Sequence, residues 1–419
     1  MAAAGILILY PHIWERIGVA LWEPILLVKT IMFHVQGDPK SLVNESFKVR
    51  SSFKITFIML EGEVDTSQMN LPGFTDEAYP DIFNTIPPQP SEKKPGQLTP
   101  KQLEQFFDKG YVLIKDYLNV EELNACKDAI DVMVDDLAEQ LFEEKKIKRK
   151  YREFGFYQRL ARLEEDCPGA CVMLHKLGKL PKAFRDLWSN EKLLNMMEQL
   201  IGPNIAGHPV WNLRPKVPQN EATTVPWHQD CGYLDSDSYS VLQPTAWIPL
   251  LDATEKNGCL QVIRNSHKSG KVAKHNCCWG TTHYVMLDEE ESPKILGCDL
   301  KKDRVTCEVP FGGLLLFNNL VVHRSLNNLS DTIRWSLDLR WQTHEKLYGF
   351  YDLKFGIPMR KTADPLYQID WSEFNVSKKY DTSNLLMPGP WMNKWPITHH
   401  NQHTKEIIKA GVTRPTWHN

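Results

Sequence analysis

Two histidines, an aspartate and an arginine carry the chemistry most open to this sequence. His228 and Asp230 stand two positions apart in Trp227-His228-Gln229-Asp230. His323 closes a distant apolar run in Val322-His323-Arg324-Ser325, and Arg334 follows in Thr332-Ile333-Arg334-Trp335. Two imidazoles and one carboxylate can occupy one face of an octahedral Fe(II) and leave three positions open. Two of those suit a bidentate 2-oxo acid and the third suits dioxygen. The far carboxylate of such an acid needs a fixed cation, and an arginine offers a planar, permanently charged fork.

His-x-Asp alone is a weak signal, so the elements around it must carry weight. In a strand, residues two apart point the same way, which predicts a strand over Thr223 to His228 that aims His228 and Asp230 at one ion. Along the next candidate strand Arg334, Ser336, Asp338 and Arg340 share one face, while Trp335, Leu337, Leu339 and Trp341 share the other. The polar face is expected to line a cavity. Asp338 and Arg340 are candidate contacts for a polar or zwitterionic substrate, with a buried salt bridge as the alternative. Trp211, Asn212 and Tyr233 are further pocket candidates, for which core packing is the plain alternative. Two other groups have metal-like spacing: His399, His400 and His403, and His275 and His283 beside Cys277-Cys278. For both, packing or surface roles are the expectation.

The chain that must position these residues falls into four parts. Residues 1–60 form an N-terminal extension whose apolar stretches are broken by Glu15, Arg16, Glu23 and Pro24, too short to span a bilayer. Residues 61–97 are proline-rich and polar, as in a linker. A domain is expected over 98–345 and an aromatic-rich extension packing on it over 346–419. Thr99-Pro100-Lys101-Gln102 reads as a capping box with proline at the first helical position. Gly110 should stop that helix, with a strand over Tyr111 to Ile114. Leu123, Cys126, Ile130, Met133 and Leu137 mark one face of a second helix. The Lys- and Arg-rich run from Glu143 to Arg152 reads as a solvated helix end. After helices over Leu180 to Leu200, about eight short strands follow with no long helix between them. The fold class is therefore mainly β with flanking helices, built on a double-stranded β-helix, or jelly-roll, core. The region Lys268 to Leu300 is its largest insertion and is expected to cap the barrel mouth.

Several of these stretches resemble the phytanoyl-CoA dioxygenase family of Fe(II)/2-oxoglutarate oxygenases, over roughly Leu98 to Thr343. The opening Leu98-Thr99-Pro100 through Gly110-Tyr111-Val112, the Trp227-His228-Gln229-Asp230 segment, Asn257-Gly258-Cys259-Leu260 with Ser266-His267-Lys268, and the spacing from His323 to Arg334 carry the resemblance. It implies His228, Asp230 and His323 as iron ligands and Arg334 as the salt bridge to 2-oxoglutarate. It also implies Trp247 and Ser325 as co-substrate contacts, and His175 or Lys176 as a further polar one. The implied cofactors are Fe(II), 2-oxoglutarate and O2, with ascorbate in support. The implied reaction is decarboxylation to succinate and CO2 coupled to oxidation of a small-molecule or acyl substrate. Related halogenating members replace the carboxylate ligand with a small residue, so Asp230 points to hydroxylation. A retired, non-catalytic barrel that binds 2-oxoglutarate for sensing or scaffolding is the alternative, and a cupin-like metal isomerase is disfavoured by Arg334 and the His-x-Asp order.

Composition narrows the rest. The 419 residues carry a formal net charge of -3, which calls for neither nucleic acid nor an anionic membrane. Nine irregularly spaced cysteines suit a reducing compartment. With no Ser-Lys-Leu ending, a cytoplasmic location is the expectation.

Overall fold

The computed structural model describes residues 77–400, except 177, 281–283, 353, 373–378, 384, 386 and 388, together with residue 405. All lie within the unit Asn70–Asn419. The expectations for residues 1–60, for His283 and for His403 fall outside the described residues.

Helices come first. α1 (Pro80–Asn84) and α2 (Pro100–Lys109) precede β1 (Tyr111–Ile114), and α3 (Val120–Glu143), α4 (Arg159–Asp166), α5 (Ala170–Lys176), α6 (Lys182–Trp188) and α7 (Glu191–Ile201) follow it. α2 starts on the expected capping box, with Thr99 Oγ1 accepting from the Gln102 amide at 3.3 Å and Gln102 Oε1 accepting from the Thr99 amide at 2.9 Å. It stops at Gly110, whose φ of 86° is the left-handed conformation that suits glycine. α4 and α5 were not foreseen. α1 lies inside the stretch read as a linker, and its Phe83 is fully buried, so this part of the chain joins the core.

The sheets then follow. β2 (Ile205–Gly207), β3 (Asn212–Lys216), β4 (Thr245–Pro249), β5 (Leu260–Ile263), β6 (His275–Trp279), β7 (Tyr284–Leu287), a short α8 (Ser292–Leu296), β8 (Arg304–Cys307), β9 (Leu314–Phe317), β10 (His323–Ser325), β11 (Arg334–Thr343) and β12 (Ile357–Arg360) complete the order. The larger sheet runs β1-β9-β4-β11-β2-β12, with β3 also pairing β11. The smaller sheet runs β10-β5-β8, and every pairing in both is antiparallel. Trp247, Leu315 and Phe317 of the larger sheet share an apolar cluster with Leu260, Val262 and Val321 at the smaller one. The two sheets therefore face each other as in a jelly roll.

β11 organises the larger sheet. Trp335, Leu337, Leu339 and Trp341 are fully buried among the helices, each contributing roughly 1.5–3 kcal/mol of apolar burial. Their ring N–H groups are satisfied, Trp335 donating to Phe156 O at 3.1 Å and Trp341 to Trp188 O at 3.2 Å. The alternate residues, Arg334, Ser336, Asp338 and Arg340, are thereby turned to the other face, toward the smaller sheet. β12 adds a strand to this sheet beyond the expected domain end at 345. The basic run after α3 is a network of ion pairs: Arg152 bonds Asp135 and Glu139, and Lys150 bonds Glu139.

Candidate metal centre

The strand expected over Thr223 to His228 does not form. Glu221–Thr223 is a 3-10 turn, and His228 makes only an isolated bridge to His323. Pro226 has no N–H to give a ladder. The bridge is nevertheless reciprocal: the His228 amide donates to His323 O at 3.0 Å, and the His323 amide donates to His228 O at 2.9 Å. Asp230 then opens a second 3-10 turn, Asp230–Tyr233. The two side chains converge through a bridge followed by a turn, not through strand alternation.

The result is compact. His228, Asp230 and His323 are all buried and offer one ligand atom each within 4.8 Å of one another. His228 Nε2 lies 3.6 Å and His323 Nε2 3.7 Å from Asp230 Oδ1. Each ring's Nδ1 faces the carbonyl oxygen two residues back, Pro226 at 2.9 Å and Val321 at 3.0 Å. A carbonyl only accepts, so Nδ1 carries the proton and each Nε2 lone pair is left for an ion. Burial, then the neighbouring His228, pushes His323 down to about 3, which keeps it neutral. This donor set fits a divalent first-row metal.

Arg340 closes the site from β11. Its Nε donates to Asp230 Oδ2 and its Nη2 to Oδ1, both at 3.0 Å, while Nη1 donates to Val210 O at 3.1 Å. Thr245 Oγ1 donates to Oδ2 at 3.2 Å. Burial works against the ionised form of Asp230, yet Arg340 and then the two imidazoles hold its carboxyl well below the usual range. Of the two roles expected for Arg340, the buried salt bridge is present, its fork being committed to Asp230 while the residue also lines the cleft.

A cleft partly open to solvent leads from His228 and His323 along β3 and β11. Its walls include His228, His323, Trp247, Ser325, Arg334, Asp338 and Arg340. Arg334 sits over the Trp247 ring at 5.1 Å and donates to Ser336 Oγ at 2.6 Å. Its buried Nε has no partner, and burial brings its pKa down to about 10, leaving it charged at neutral pH. Ser325 Oγ accepts from the Val225 amide at 2.9 Å. Asp338 pairs with Arg214 at 3.0 Å and keeps its Oδ1 unpartnered. His175 lines the cleft, bonded to Leu213 O at 2.8 Å, whereas Lys176 pairs with Asp381.

Other expectations are moved elsewhere. Trp211, Asn212 and Tyr233 are not among the cleft's walls. Trp211 packs on Phe184 and Trp188, Asn212 pairs with Asp338 across the strands, and Tyr233 sits edge-on to His228 with its hydroxyl accepting from the Val285 amide. His275 Nε2 accepts from the Gln229 amide at 3.0 Å, so this ring props the His-x-Asp segment. No other group of three or more metal-type ligands gathers among the described residues. Arg214 and Lys216, both in the cleft wall, were missed. The alternation Asn212, Arg214, Lys216 was their only signal, and Pro215 obscured it. The insertion reaches the cleft through Tyr284, whose hydroxyl accepts from Arg214 at 3.3 Å.

A metal-competent triad between the sheets of a jelly roll, with a buried arginine on the strand beside it, defines the class. The chain belongs to the phytanoyl-CoA dioxygenase (PhyH) family, whose model matches residues 106–336, more than half of its 419 residues. It is 28% identical over 261 residues to phytanoyl-CoA dioxygenase 1 of Oryza sativa subsp. japonica, covering 58% of this chain and 89% of that one. It is 27% identical over 174 residues to 1-deoxypentalenic acid 11-beta-hydroxylase of Streptomyces arenae, covering 40% and 59%. A solved non-heme monooxygenase, ThoJ, superposes at a TM-score of 0.42 and 18% identity over 74% of this chain and 94% of its own.

Proposed function

We propose that this protein is an Fe(II)- and 2-oxoglutarate-dependent hydroxylase of a small-molecule or acyl substrate, forming succinate and CO2 as it works. The observation that carries the reading is the gathering of two Nε2 atoms and one carboxylate oxygen beside a cleft that also holds an unpartnered, buried Arg334 Nε. The hydroxylase relative in Streptomyces arenae supports the choice of reaction. When bound, iron supplies dioxygen activation, with one oxygen atom destined for succinate and the other for the product.

The chain's own residues have separable tasks. His228, His323 and Asp230 would hold the metal, with the two backbone carbonyls fixing the imidazole tautomers and Arg340 fixing the carboxylate. Arg334 would take the distal carboxylate of the co-substrate, its guanidinium kept in place by Trp247 and Ser336. The co-substrate is all acceptor, so its fit to Arg334's free donor is chemical as well as electrostatic. Leu260 and Phe317 give the cleft an apolar wall, Phe317 lying 4.5 Å from the His323 ring. The test is succinate release from 2-oxoglutarate with Fe(II) and ascorbate while candidate metabolites and acyl thioesters are screened for stimulation. Wild-type turnover abolished by His228→Ala supports the proposal. Binding of 2-oxoglutarate with no decarboxylation under any condition would leave a sensing barrel instead.

A further inference from the structure

Lys216 on β3 stands directly opposite Arg334 on β11, and both line the cleft. Each is 2% exposed. Lys216 Nζ donates only to neutral oxygens, Thr223 O at 3.1 Å and Thr224 Oγ1 at 3.2 Å. Arg334 has Ser336, the Trp247 face and a free Nε. No carboxylate pairs with either cation among the described residues. Two other guanidiniums in the cleft wall differ, since Arg214 holds Asp338 and Arg340 holds Asp230.

Register partners place their Cβ atoms roughly 5 Å apart. Two cations buried in one cleft with no anionic partner are costly unless an anion joins them. Burial, then Arg334 and Arg214, pulls the Lys216 ammonium well below its ordinary pKa. The lysine stem is nonetheless given a dedicated path. Gly258 has a φ of +87°, and a Cβ there would sit 2.6 Å from Lys216 Cδ and 2.7 Å from Leu326 O. The hydroxyl of Ser325 lies at the same end of the cleft, bonded to Val225, the residue after Lys216's partner Thr224.

We propose that Lys216 is the second cation of the co-substrate site, sharing with Arg334 the distal carboxylate of 2-oxoglutarate. This rests on the oxygenase reading above. It makes the site selective for 2-oxo acids with a second carboxylate, because a monocarboxylic 2-oxo acid would leave both cations unpaired.

The experiment is an anaerobic titration of the Fe(II)-loaded full chain with 2-oxoglutarate and with 2-oxopentanoate, which lacks the distal carboxylate, followed by visible charge-transfer absorption. Lys216→Met should weaken 2-oxoglutarate binding by about ten- to a hundredfold, as expected for loss of one charged hydrogen bond, with 2-oxopentanoate unchanged. Lys216→Arg should retain most of the affinity. Melting of the metal-free, ligand-free protein supplies a second readout. Burying this amine with no anion beside it costs the empty protein stability, so Lys216→Met should raise the Tm, whereas a purely structural lysine would lower it. Equal weakening of both acids, or no change for 2-oxoglutarate, overturns the inference while leaving the oxygenase reading standing. A wild-type protein that binds neither acid overturns both.

Discussion

Asp230 faces two partners with opposing demands. It must stay ionised for a metal, and it is the sole carboxylate paired with the buried Arg340 guanidinium among the described residues. Removing one member of such a pair leaves the other uncompensated, at a cost of about 3–5 kcal/mol. Asp230→Asn and Arg340→Met should each lower metal-free stability in urea by that order. The double variant should recover part of the loss, so a coupling energy near zero would show that the pair is not what holds Arg340. The gathering of His228, Asp230 and His323, and the presence of Arg334 in the same cleft, could be anticipated from sequence because each is a chemically demanding residue type at a telling distance. Arg340's true partner was not legible, since face alternation places it in the cavity without saying which carboxylate it meets.

At the level of elements, the buried histidines outside the triad set the response to acid. Burial pushes His208 and His267 down to about 4 and His275 down to about 3. All three are neutral in the fold, while in the unfolded chain they take up protons below about pH 6.5. Between about 6.5 and 4 the unfolded state binds more protons, so stability falls as pH falls through that window. Denaturation midpoints measured from about pH 7 to about pH 5 should decline, and His267→Gln should make the decline shallower. A flat profile would contradict neutral burial. Gly110 offers a second check. A Cβ there would lie 2.4 Å from Val321 Cγ2 and 2.6 Å from His267 Nδ1, at a φ of +86°. Gly110→Ala should cost at least about 1 kcal/mol in stability, read from thermal or urea melts. Elements with strong local signals, such as the capping box of α2 and the two-faced β11, could be read in advance. The His-x-Asp segment and β3 could not, because Pro226 and Pro215 interrupt the patterns that a strand shows.

At the largest scale, residues 391–395 pack back onto the site. Trp395 Nε1 donates to Gly232 O at 2.6 Å, Trp391 meets the Tyr233 ring edge-on at 5.0 Å, and Tyr233 in turn meets His228 at 5.6 Å. Lys394 reaches Leu234 O and the Tyr239 hydroxyl. The turn after Asp230 is thus braced by residues more than a hundred positions away, which aromatic content hinted at but could not locate. Trp395→Ala should weaken Co(II) binding by about tenfold or more, the usual scale for losing a support behind metal ligands. Unchanged affinity would mean that the turn holds its shape unaided.

The reciprocal backbone hydrogen bonds between His228 and His323 bear on how the protein waits for its ion. Both metal-facing rings hang from backbone that is already locked together before any ion arrives, so loading should resemble filling a socket more than folding a loop. Amide hydrogen exchange gives that a direct signature. The N–H groups of His228 and His323 should exchange slowly in the chelated protein, and adding a divalent ion should slow them little further.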